Sequence, residues 1–525
     1  ASPPTRSSRF PVRSRHHHMS AFAVCRARLG GVNELVSGVP LADTKQLETN
    51  LADLVRRHAT TRPESVAMVQ PRPVRRTVTW AELDRRVDAV AAGLSAHGLV
   101  AGHRIALVGP NSIEFVIAYL ATLRAGYVAV PINPESTATE LRSMIDDCGA
   151  RVIFTAVSQA LLEEGVHQIA LTAEGLDELA DVAAQPVSSP RDPEVLAVLL
   201  YTAGTSGEPK AAMLSHRALL SHLYNLGSFE ILEPDDVLLA LVPLFHVFGL
   251  NAVLGSALMS GARLVIMDGF DGFADVVAEE KITNLPLAPP VLTRVLSDDR
   301  AIASVRTVTR VVSGAAPLSV DLREQFTART GLRVEQGYGL TEAAPGVSAT
   351  LGGELLGRGH VGRPLPGVEI KIGDGTEPTE PGEIWIRGDN LFSGYWPDGR
   401  GGPGEGGWFP TGDVGYLLDG ELFLVDRSRE LIIVDGFNVY PAEVEAAISE
   451  LLEVESVAVV GRPDWRSGEQ VVAFVSGAGL SPAVINEHCA NRLAKFKRPR
   501  QIQIVDELPR GITGKVRKGV LRDMP

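Results

Sequence analysis

The chain has 525 residues and a formal net charge of -13, with 45% apolar and 22% charged residues. These values are ordinary for a soluble globular protein of several domains, and an acidic chain is a poor candidate for general nucleic-acid binding or for a polybasic membrane anchor. Cys25, Cys148 and Cys489 are too few and too scattered for a disulfide framework or a structural zinc site, so we expect a reducing, cytoplasmic compartment. No uninterrupted apolar run is long enough to span a bilayer.

The first residues differ in composition from the rest of the chain. Residues 1–33 contain six arginines and no acidic residue, and three histidines stand directly before Met19. A transit peptide would explain the arginines, but no helical stripe accompanies them, and the histidines are typical of a tag remnant. We therefore expect residues 1–46 to form a disordered leader without a function.

Globular patterning starts near Leu47, with a helical pattern over residues 49–59. Thr79 and Glu82 have the spacing of a capping box, and the apolar residues that follow fall on one helical face. From there to residue 155, apolar runs of strand length alternate with helical patterns, and no run of hairpins interrupts them. This alternation predicts a mostly parallel sheet covered by helices, in which ligands bind at the carboxyl ends of the strands.

The most informative stretch is YTAGTSGEPK, residues 201–210, which follows an apolar, strand-like run. Its glycines let the backbone approach a ligand closely, its hydroxyls can donate hydrogen bonds, and Lys210 adds a positive charge. These groups together suit a polyphosphate, although the pattern is not the Walker form, in which the lysine opens a helix. The alternative is an ordinary Gly/Ser turn before a helix at His216.

After Gly357 the composition changes, because Gly and Pro become frequent and the strand-like runs become short. We expect a small, largely antiparallel β unit here, then a charged connector at residues 426–433 and an α+β segment with a helix that starts at Pro441. Residues 402–407 spell G-x-G-x-x-G, but no strand precedes them. They therefore predict a surface loop and not a dinucleotide site.

Seven stretches in this order make the sequence similar to the adenylate-forming superfamily, in its branch of fatty-acyl-CoA and 4-coumarate-CoA ligases. They are YTAGTSGEPK at 201, PLFHVFG at 243, SGAAPL at 313, QGYGLTE at 336, FPTGDVG at 409, DRSRELIIVDGFNVYP at 426 and PRGITGK at 509. Any one of them is a weak signal. Together, in the family's order and spread over residues 47–523, they are specific.

The resemblance implies a fold and a reaction. The fold is α/β, with a large N-terminal domain of mostly parallel βα layers plus a small β unit at residues 47–426, followed by a small, mobile α+β C-terminal domain at residues 427–525. The reaction has two halves in one site. A carboxylate first attacks the α-phosphate of ATP to give acyl-AMP and pyrophosphate, and after rotation of the small domain a thiol, usually that of CoA, displaces AMP.

The resemblance also implies the site residues. The residues expected to hold the phosphates are Thr202, Thr205, Ser206, Gly207, Lys210 and Thr341. Those expected around the adenosine are Gly314, Ala315, Ala316, Gly337, Tyr338, Gly339, Asp413 and Arg427. Those expected to act in catalysis are Lys515, Thr202, Glu342 and His246. The expected Mg²⁺ ligands are Glu342 and Thr205, the expected CoA contacts are Gly436, Phe437 and Lys497, and the expected hinge is Arg429.

These residue types fit the implied chemistry. Carboxylate and triphosphate are both anions, so their reaction needs charge neutralisation and in-line positioning. An ionised Asp413 can accept both ribose hydroxyls, and the Glu342 carboxylate is a hard ligand that suits Mg²⁺. The residues also have ordinary interpretations, because His246 between two phenylalanines can be a core histidine, Tyr338 can be packing, and Asp413 can be a turn residue.

The sequence departs from the family pattern at a few positions. Ala203 stands where Ser is frequent, Ser206 where Thr is common and Ala211 where Gly is usual, and all three keep the loop small. Arg429 stands at the hinge, where the family has Lys or Asp. Because Arg is bulkier and stacks or forks onto carboxylates more readily, the hinge kinetics are the property in doubt.

The expected partners are therefore small molecules, namely a carboxylic acid, ATP and CoA, while a homodimer stays open. Two alternatives remain, an acyl-AMP ligase that delivers to a separate carrier-protein thiol and a catalytically silent nucleotide- or acyl-binding protein. The candidate residues of the acyl pocket are Phe245, Phe248, Leu250, Val312 and Val347. Because these are apolar and no Arg or Lys stands among the seven stretches to pair a second carboxylate, we expect a fatty or aryl monocarboxylic acid as the substrate.

Overall fold

The computed structural model describes residues 36–37, 48–156, 166–180, 187–203, 209–229, 231–316, 318–353, 355–357, 359–373, 379–380, 382–427, 432–439, 441–509, 516 and 518–524. The predicted leader, apart from residues 36–37, lies outside these ranges. Within them, no helix combines the length and the apolar character that crossing a membrane requires.

The α-helices of the described residues are α1 (Asp53–Thr61), α2 (Trp80–Ser95), α3 (Ile113–Arg124), α4 (Ala138–Cys148), α5 (Ala173–Ala180), α6 (His216–Gly227), α7 (Ser256–Ser260), α8 (Phe273–Glu279), α9 (Pro289–Leu296), α10 (Asp299–Ser304), α11 (Val320–Thr330), α12 (Pro441–Ser449), α13 (Pro482–Arg492) and α14 (Lys518–Asp523). A π-helical segment, Phe248–Gly255, runs directly into α7.

The strands of the N-terminal part are β1 (Val36–Ser37), β2 (Val66–Gln70), β3 (Arg76–Thr79), β4 (Arg104–Val108), β5 (Val128–Ile132), β6 (Val152–Thr155), β7 (His167–Ala170), β8 (Leu196–Ala203), β9 (Pro209–Ser215), β10 (Val237–Ala240), β11 (Arg263–Ile266), β12 (Asn284–Leu287), β13 (Arg310–Ser313), β14 (Val334–Gly339), β15 (Gly346–Ala349), β16 (His360–Pro364), β17 (Val368–Gly373), β18 (Gly382–Gly388), β19 (Phe409–Leu418) and β20 (Glu421–Arg427). Those of the C-terminal part are β21 (Ile432–Val434), β22 (Phe437–Val439), β23 (Val454–Asp464), β24 (Gly468–Gly477) and β25 (Gln501–Ile504).

Three sheets organise the described residues. One runs β7-β6-β4-β5-β8-β9 and is parallel except for its last pair, β8 with β9. The second has a parallel centre, β2-β11-β10-β12-β13-β14, and continues through antiparallel strands β15 to β20. The third belongs to the small C-terminal part and is mainly antiparallel. The predicted α/β fold with parallel layers and a β unit is confirmed, and this β unit continues the second sheet.

Helix α3 lies between the two large sheets and explains why they stay together. All of its residues are buried, and it contacts β2 of one sheet and β4 and β5 of the other. A helix that is apolar on every side is typical of such a position. Its last residue, Arg124, is fully buried and donates hydrogen bonds to Asp88 Oδ1 at 2.8 Å and to the Ala52 carbonyl at 2.9 Å.

Thr79 and Thr137 both cap helices in this domain, but the complete capping box is found at Thr137 and not at Thr79, where it was predicted. Thr79 accepts a hydrogen bond from the Glu82 backbone N–H at the start of α2, which confirms the cap. The reciprocal pair of bonds that defines a capping box is formed by Thr137 and Glu140 at the start of α4. Glu140 of this second cap also contacts the small domain.

The same Glu140 carboxylate connects the large domain to the small one. Its Oε2 accepts from the Thr137 N–H at 2.9 Å, while its Oε1 accepts from the Ala494 N–H at 3.1 Å and from Lys497 Nζ at 3.4 Å. Lys497 Nζ also donates to Glu443 Oε1 at 2.6 Å. The Lys497 and Glu443 side chains are 13% and 9% exposed, so one cation neutralises two carboxylates away from water.

We expect the substitution Lys497→Ala to loosen this contact, because it leaves Glu140 and Glu443 buried together without a cation. Hydrogen–deuterium exchange should become at least about 10-fold faster at the Ala494 amide and at the start of α4. The control is Arg500→Ala, which removes an exposed ion pair with Asp464 inside the small domain and should leave those amides unchanged. Equal protection in the Lys497 variant and in the wild type would contradict this role.

Candidate active site

The β8–β9 strand pair carries the predicted phosphate-binding residues. Thr202 faces Lys210 across the pair, and its hydroxyl donates a hydrogen bond to the Lys210 carbonyl at 3.3 Å. Thr205, Ser206 and Gly207 lie outside the described residues, in the connection between the two strands. The sequence predicts β8, but not β9, which fixes Lys210 in a sheet directly after that connection.

Residues 392–396 join this strand pair to the second sheet. The Trp396 N–H donates to the Ala211 carbonyl on β9 at 2.8 Å, and Tyr395 forms a β-bridge with Ala212. At its other end the segment reaches the second sheet, where the Phe392 N–H donates to the Glu342 carbonyl at 2.9 Å. This segment thus connects Lys210, on the first sheet, to Glu342, in the short helical turn that follows β14 of the second sheet.

Tyr395 makes the closest contact between these two groups. Its hydroxyl donates to Glu342 Oε1 at 2.6 Å, and the Lys210 ammonium lies 5.6 Å from its ring centroid, within the range of a cation–π contact. Tyr395 is a site residue that the sequence analysis did not find. The sequence of residues 393–398 gives no signal that Tyr395 contacts the distant Glu342 carboxylate.

Tyr338 and Asp413, both predicted to contact the adenosine, lie together. Tyr338 is 6% exposed at the end of β14, and its hydroxyl donates to Asp413 Oδ2 at 2.7 Å. Asp413 lies on β19, where its backbone N–H donates to the Thr411 hydroxyl at 3.1 Å. Arg427 pairs with Asp413 across β19 and β20. An aromatic ring next to a carboxylate can contact a base and a ribose at once.

The backbone around Tyr338 and at the end of β13 approaches its neighbours closely. A Cβ atom on Gly339 would lie 2.2 Å from the Pro345 carbonyl oxygen, so no other residue fits there. Ala315, after β13, has a φ of 66°, which is uncommon for a residue with a side chain and often marks a functional turn. Gly314, Ala315, Gly337, Gly339 and Thr341 all line the cavity described next, whereas Ala316 does not.

A cavity of about 160 Å³ opens beside these residues. Its walls come from α6, the π-helical segment and the ends of β13, β14 and β15, and they are mainly apolar. The apolar side chains among them include Leu226, Ile231, Leu232, Leu238, Val247, Phe248, Leu285, Val312, Leu340, Leu351 and Leu365. This arrangement matches the form of a small-molecule site, an apolar space with a few polar groups at defined points.

His246 is one of those polar groups. Its Nδ1 accepts a hydrogen bond from the Phe248 N–H at 3.1 Å, which leaves the proton of the neutral ring on Nε2. Burial lowers the pKa of His246 to about 4, because the imidazolium loses its solvation there. The structure therefore presents a neutral N–H donor next to the residues expected to contact ATP.

The structure corrects part of the predicted acyl pocket. Phe248 and Val312 line the cavity, but Phe245, Leu250 and Val347 do not. Leu250 and Val347 are fully buried in the hydrophobic core, and the Phe245 ring stacks on Phe437 of the small domain at 6.0 Å between centroids.

The seven stretches offer no Arg or Lys to pair a second carboxylate, but the cavity wall has a cation from outside them. Arg310 lines the cavity from β13. Its guanidinium donates to the Ile231 carbonyl at 2.6 Å and lies 3.8 Å from Glu335, so its charge is partly balanced within the protein. The sequence analysis compared only the seven stretches, and Arg310 stands just before one of them.

The small domain brings some of the predicted CoA residues to the interface. Gly436 is buried with a φ of 85°, and a Cβ there would meet Ala288 of the large domain at 3.5 Å. Phe437 lies between the rings of Phe245 and Phe496. Lys497 is held by the two carboxylates described above. Arg429 and Lys515 lie outside the described residues, as does the Arg427 side chain.

No group of three or more His, Cys, Asp or Glu side chains with the geometry of a metal site is found among the described residues. Of the two predicted ligands, Glu342 lies in the described part, and a single carboxylate suits Mg²⁺, a cation that takes few protein ligands and shares substrate phosphates. Its contact with Tyr395, whose ring Lys210 also approaches, places it near the residues predicted to hold the phosphates.

Comparisons with known proteins identify the family of this chain. The family model described as AMP-binding enzyme matches residues 55–396, and the model of the AMP-binding enzyme C-terminal domain matches residues 443–515. 4-Coumarate–CoA ligase 5 of Oryza sativa subsp. japonica is 33% identical over 482 residues, which cover 85% of this chain and 89% of the relative. Indoleacetate–CoA ligase of Aromatoleum aromaticum is 32% identical over 504 residues, which cover 90% and 98%.

A solved structure is similar over the same span. A double mutant of the o-succinylbenzoate CoA synthetase of Bacillus subtilis, bound to its product analogue OSB-NCoA, superposes with a TM-score of 0.81 at 28% identity, covering 90% of this chain and 98% of that one. With the acyl-adenylate OSB-AMP, the same enzyme superposes with a TM-score of 0.65 at 27% identity and equal coverage. The chain therefore belongs to the AMP-binding enzymes, the adenylate-forming superfamily, in the branch of the acyl-CoA synthetases and 4-coumarate-CoA ligases.

Proposed function

We propose that this chain is an ATP-dependent ligase that activates an aryl monocarboxylic acid as acyl-AMP and transfers the acyl group to CoA with release of AMP. The observation that carries the proposal is the mainly apolar cavity, which has the neutral His246 on one wall and Tyr338 and Thr341 on another. The aryl substrate class is supported by the relatives, which include ligases named for 4-coumarate, indoleacetate and ferulate.

In the first half-reaction the acid and ATP must meet although both are anions. We assign the Nε2–H of His246 to the acyl carboxylate, which it orients by donating a hydrogen bond without adding a charge. Lys210 and, by family resemblance, Lys515 supply the positive charge for the phosphates. We also assign the hydroxyls of Thr202 and Thr341 to phosphate oxygens, since Thr202 lies opposite Lys210 and Thr341 lines the cavity. When bound, Mg²⁺ held by Glu342 would neutralise further phosphate charge.

The adenosine is assigned to the Tyr338–Asp413 pair. The ring of Tyr338 borders the cavity, so it can lie against adenine, and Asp413 can accept from the ribose hydroxyls. Because Tyr338 already donates to Asp413 Oδ2, one contact orients both groups before any nucleotide arrives. Such orientation in advance lowers the entropic cost of binding.

The second half-reaction is assigned to the arrangement of the two domains in this structure. This chain superposes better on the synthetase with a CoA product analogue than on the synthetase with its acyl-adenylate. The difference supports the thioester-forming arrangement of the two domains. In it, Gly436 and the Phe245–Phe437 stack lie at the contact between the domains. We assign the CoA arm to this contact, and the change from one arrangement to the other to a hinge at Arg429.

The first test measures pyrophosphate and AMP with ATP and Mg²⁺ across a panel of aryl and fatty acids, with and without CoA. We expect an aryl acid to drive pyrophosphate release and CoA to convert the acyl-AMP to AMP and acyl-CoA. Acyl-AMP formation that does not respond to CoA would favour transfer to a carrier-protein thiol, and preference for fatty acids would overturn the aryl assignment. No turnover with any acid would favour a silent binding protein.

The pKa of His246 predicts a pH profile. Burial shifts this pKa down from 6.5 to about 4, so the ring stays neutral from pH 8 down to about 5.5. Since kcat/KM reports the free enzyme and free acid, we expect kcat/KM for the acid to show no inflection near pH 6.5 that depends on His246. An inflection there that disappears in His246→Asn would show an ordinary, exposed histidine instead.

Tyr395 is predicted to position Glu342. The substitution Tyr395→Phe removes a hydrogen bond to a charged group, which corresponds to a loss of about 10- to 100-fold in kcat/KM for ATP. The matched control is Tyr416→Phe, since that tyrosine stacks on Phe423 elsewhere on β19, and its loss should leave the kinetics near those of the wild type. An unchanged kcat/KM and an unchanged Mg²⁺ dependence in Tyr395→Phe would contradict the role.

A further inference from the structure

One carboxylate accepts the described hydrogen bonds between the two domains. Among the described residues, the bonds that cross from one domain to the other both end on Glu140 Oε1, from the Ala494 N–H at 3.1 Å and from Lys497 Nζ at 3.4 Å. The Glu140 side chain is 13% exposed, and Ala494 is fully buried. In the part of the chain that the structure describes, the polar contact between the domains thus depends on one acidic side chain.

The charges around this carboxylate allow the contact to open. Lys497 Nζ lies 2.6 Å from Glu443 in its own domain but 3.4 Å from Glu140. Burial tends to lower the pKa of Lys497, but the charges of Glu443 and Glu140 outweigh it and raise this pKa, so the lysine stays charged. If the small domain moves away, Lys497 keeps Glu443 and Glu140 returns to water. No charge is then left buried without a partner, so the contact can form and break in every turnover.

The two bonds fix a short turn of the small domain, residues 494–497. Phe496 in this turn lies 4.6 Å, between ring centroids, from Phe437, which stacks on Phe245 of the large domain. Gly436 and Phe437 form the contact to which the CoA arm is assigned above. A displacement of the turn would therefore move the surface along which we expect CoA to reach the site.

Helix α4 fixes Glu140 relative to the phosphate-binding residues. Glu140 lies in the first turn of α4, and Asp147 lies in its last turn. The Tyr201 hydroxyl on β8 donates to Asp147 Oδ2 at 2.6 Å, and the Trp396 indole N–H donates to the Asp147 carbonyl at 3.0 Å. Trp396 belongs to the segment that connects the two large sheets. A small domain bonded to Glu140 therefore has a defined position relative to the predicted site.

We propose that Glu140 and Lys497 are positioning residues for the second half-reaction, because their contact holds the small domain in the arrangement in which CoA reaches acyl-AMP. This inference rests on the proposed ligase function and assigns one of its steps to one contact. In that step the CoA sulfur bonds to the acyl carbon, the bond from this carbon to the AMP oxygen breaks, and the thiol proton leaves to water. Adenylation takes place with the contact open and needs neither residue.

The inference gives Lys497 a role different from the direct CoA contact that the resemblance implies. A lysine that binds CoA itself would act without Glu140. A lysine that acts through the domain contact needs Glu140 as much as its own charge. Substitutions on the two sides of the interface therefore separate the two roles.

The test measures each half-reaction alone, with an acid that the wild type activates. Acid-dependent exchange of labelled pyrophosphate into ATP, without CoA, reports adenylation. Single-turnover conversion of preformed, enzyme-bound acyl-AMP by CoA reports thioester formation. In Glu140→Gln, which keeps the size of the side chain and removes its charge, we expect thioester formation at subsaturating CoA to slow by about 10-fold or more, since the competent arrangement is less populated. Pyrophosphate exchange should stay the same or rise.

Two further variants complete the test. Lys497→Met should show the same division between the half-reactions, and adding Glu140→Gln to it should slow thioester formation no further, since both remove one contact. The matched control is Glu279→Gln, which removes the charge of an exposed glutamate that pairs with Arg72 within the large domain. It should leave both half-reactions at the rates of the wild type.

Three results would overturn the inference and leave the ligase function standing. Glu140→Gln could form the thioester at the rate of the wild type while Lys497→Met does not, which would show a direct contact of Lys497 with CoA. Both variants could form it at that rate. Glu140→Gln could slow both half-reactions equally, which would show only a structural role in capping α4.

If Lys497→Met does not fold, Glu140→Gln and its control decide the question. Failure of the proposed function would appear in the wild type itself, as no pyrophosphate exchange with any acid or as acyl-AMP that does not respond to CoA. Either result would also remove the step that the inference assigns to this contact.

Discussion

The hydrogen bond from the Tyr395 hydroxyl to Glu342 is the contact on which the geometry of the site depends. Residues 392–396 are bonded on one side to β9, which carries Lys210, and on the other to the backbone of Glu342. The phosphate-binding strand pair and the end of the parallel strands belong to different sheets. Without a rigid connection their charges could not be placed within a few tenths of an ångström, as reactions between two anions require.

A second constraint is the balance between charge and burial. The cavity must accept an apolar body and one carboxylate, so charged groups close to it would carry a large desolvation cost. The protein meets this constraint with two neutral histidines, His222 and His246, whose pKa values burial lowers to about 3 and about 4. Among the described residues of the wall the one cation is Arg310, which donates to the Ile231 carbonyl and lies near Glu335. Formal charge is concentrated instead at Lys210 and Glu342.

Much of the fold could be predicted from the sequence, because its signals are local. The alternation of apolar strands and amphipathic helices predicted the parallel layers, and the increase in Gly and Pro after Gly357 predicted the antiparallel strands. The contact of Tyr338 with Asp413 agrees with their shared assignment to the adenosine, which came from the order of seven motifs. The roles of the predicted site residues stay predictions, and Thr205, Ser206, Arg429 and Lys515 also lie outside the described part.

The remaining site residues could not be predicted because they depend on contacts between distant segments. Tyr395, for example, has its role only because β9 and Glu342 lie on either side of it. Arg310 lies on a cavity wall although it looks like an ordinary strand residue. Lys497, assigned to CoA by resemblance, is bonded to Glu140 and Glu443, a pairing across 357 and 54 positions of sequence that no local pattern indicates.

The account is tested most directly by a crystal structure with a non-hydrolysable aryl acyl-adenylate analogue. We expect the adenine beside Tyr338, the ribose hydroxyls on Asp413, the linkage that mimics the reacting carboxyl group near His246, and the aryl group in the cavity between Phe248, Val312 and His222. An aryl group bound outside this cavity, or an adenosine that does not contact Tyr338 and Asp413, would contradict the account.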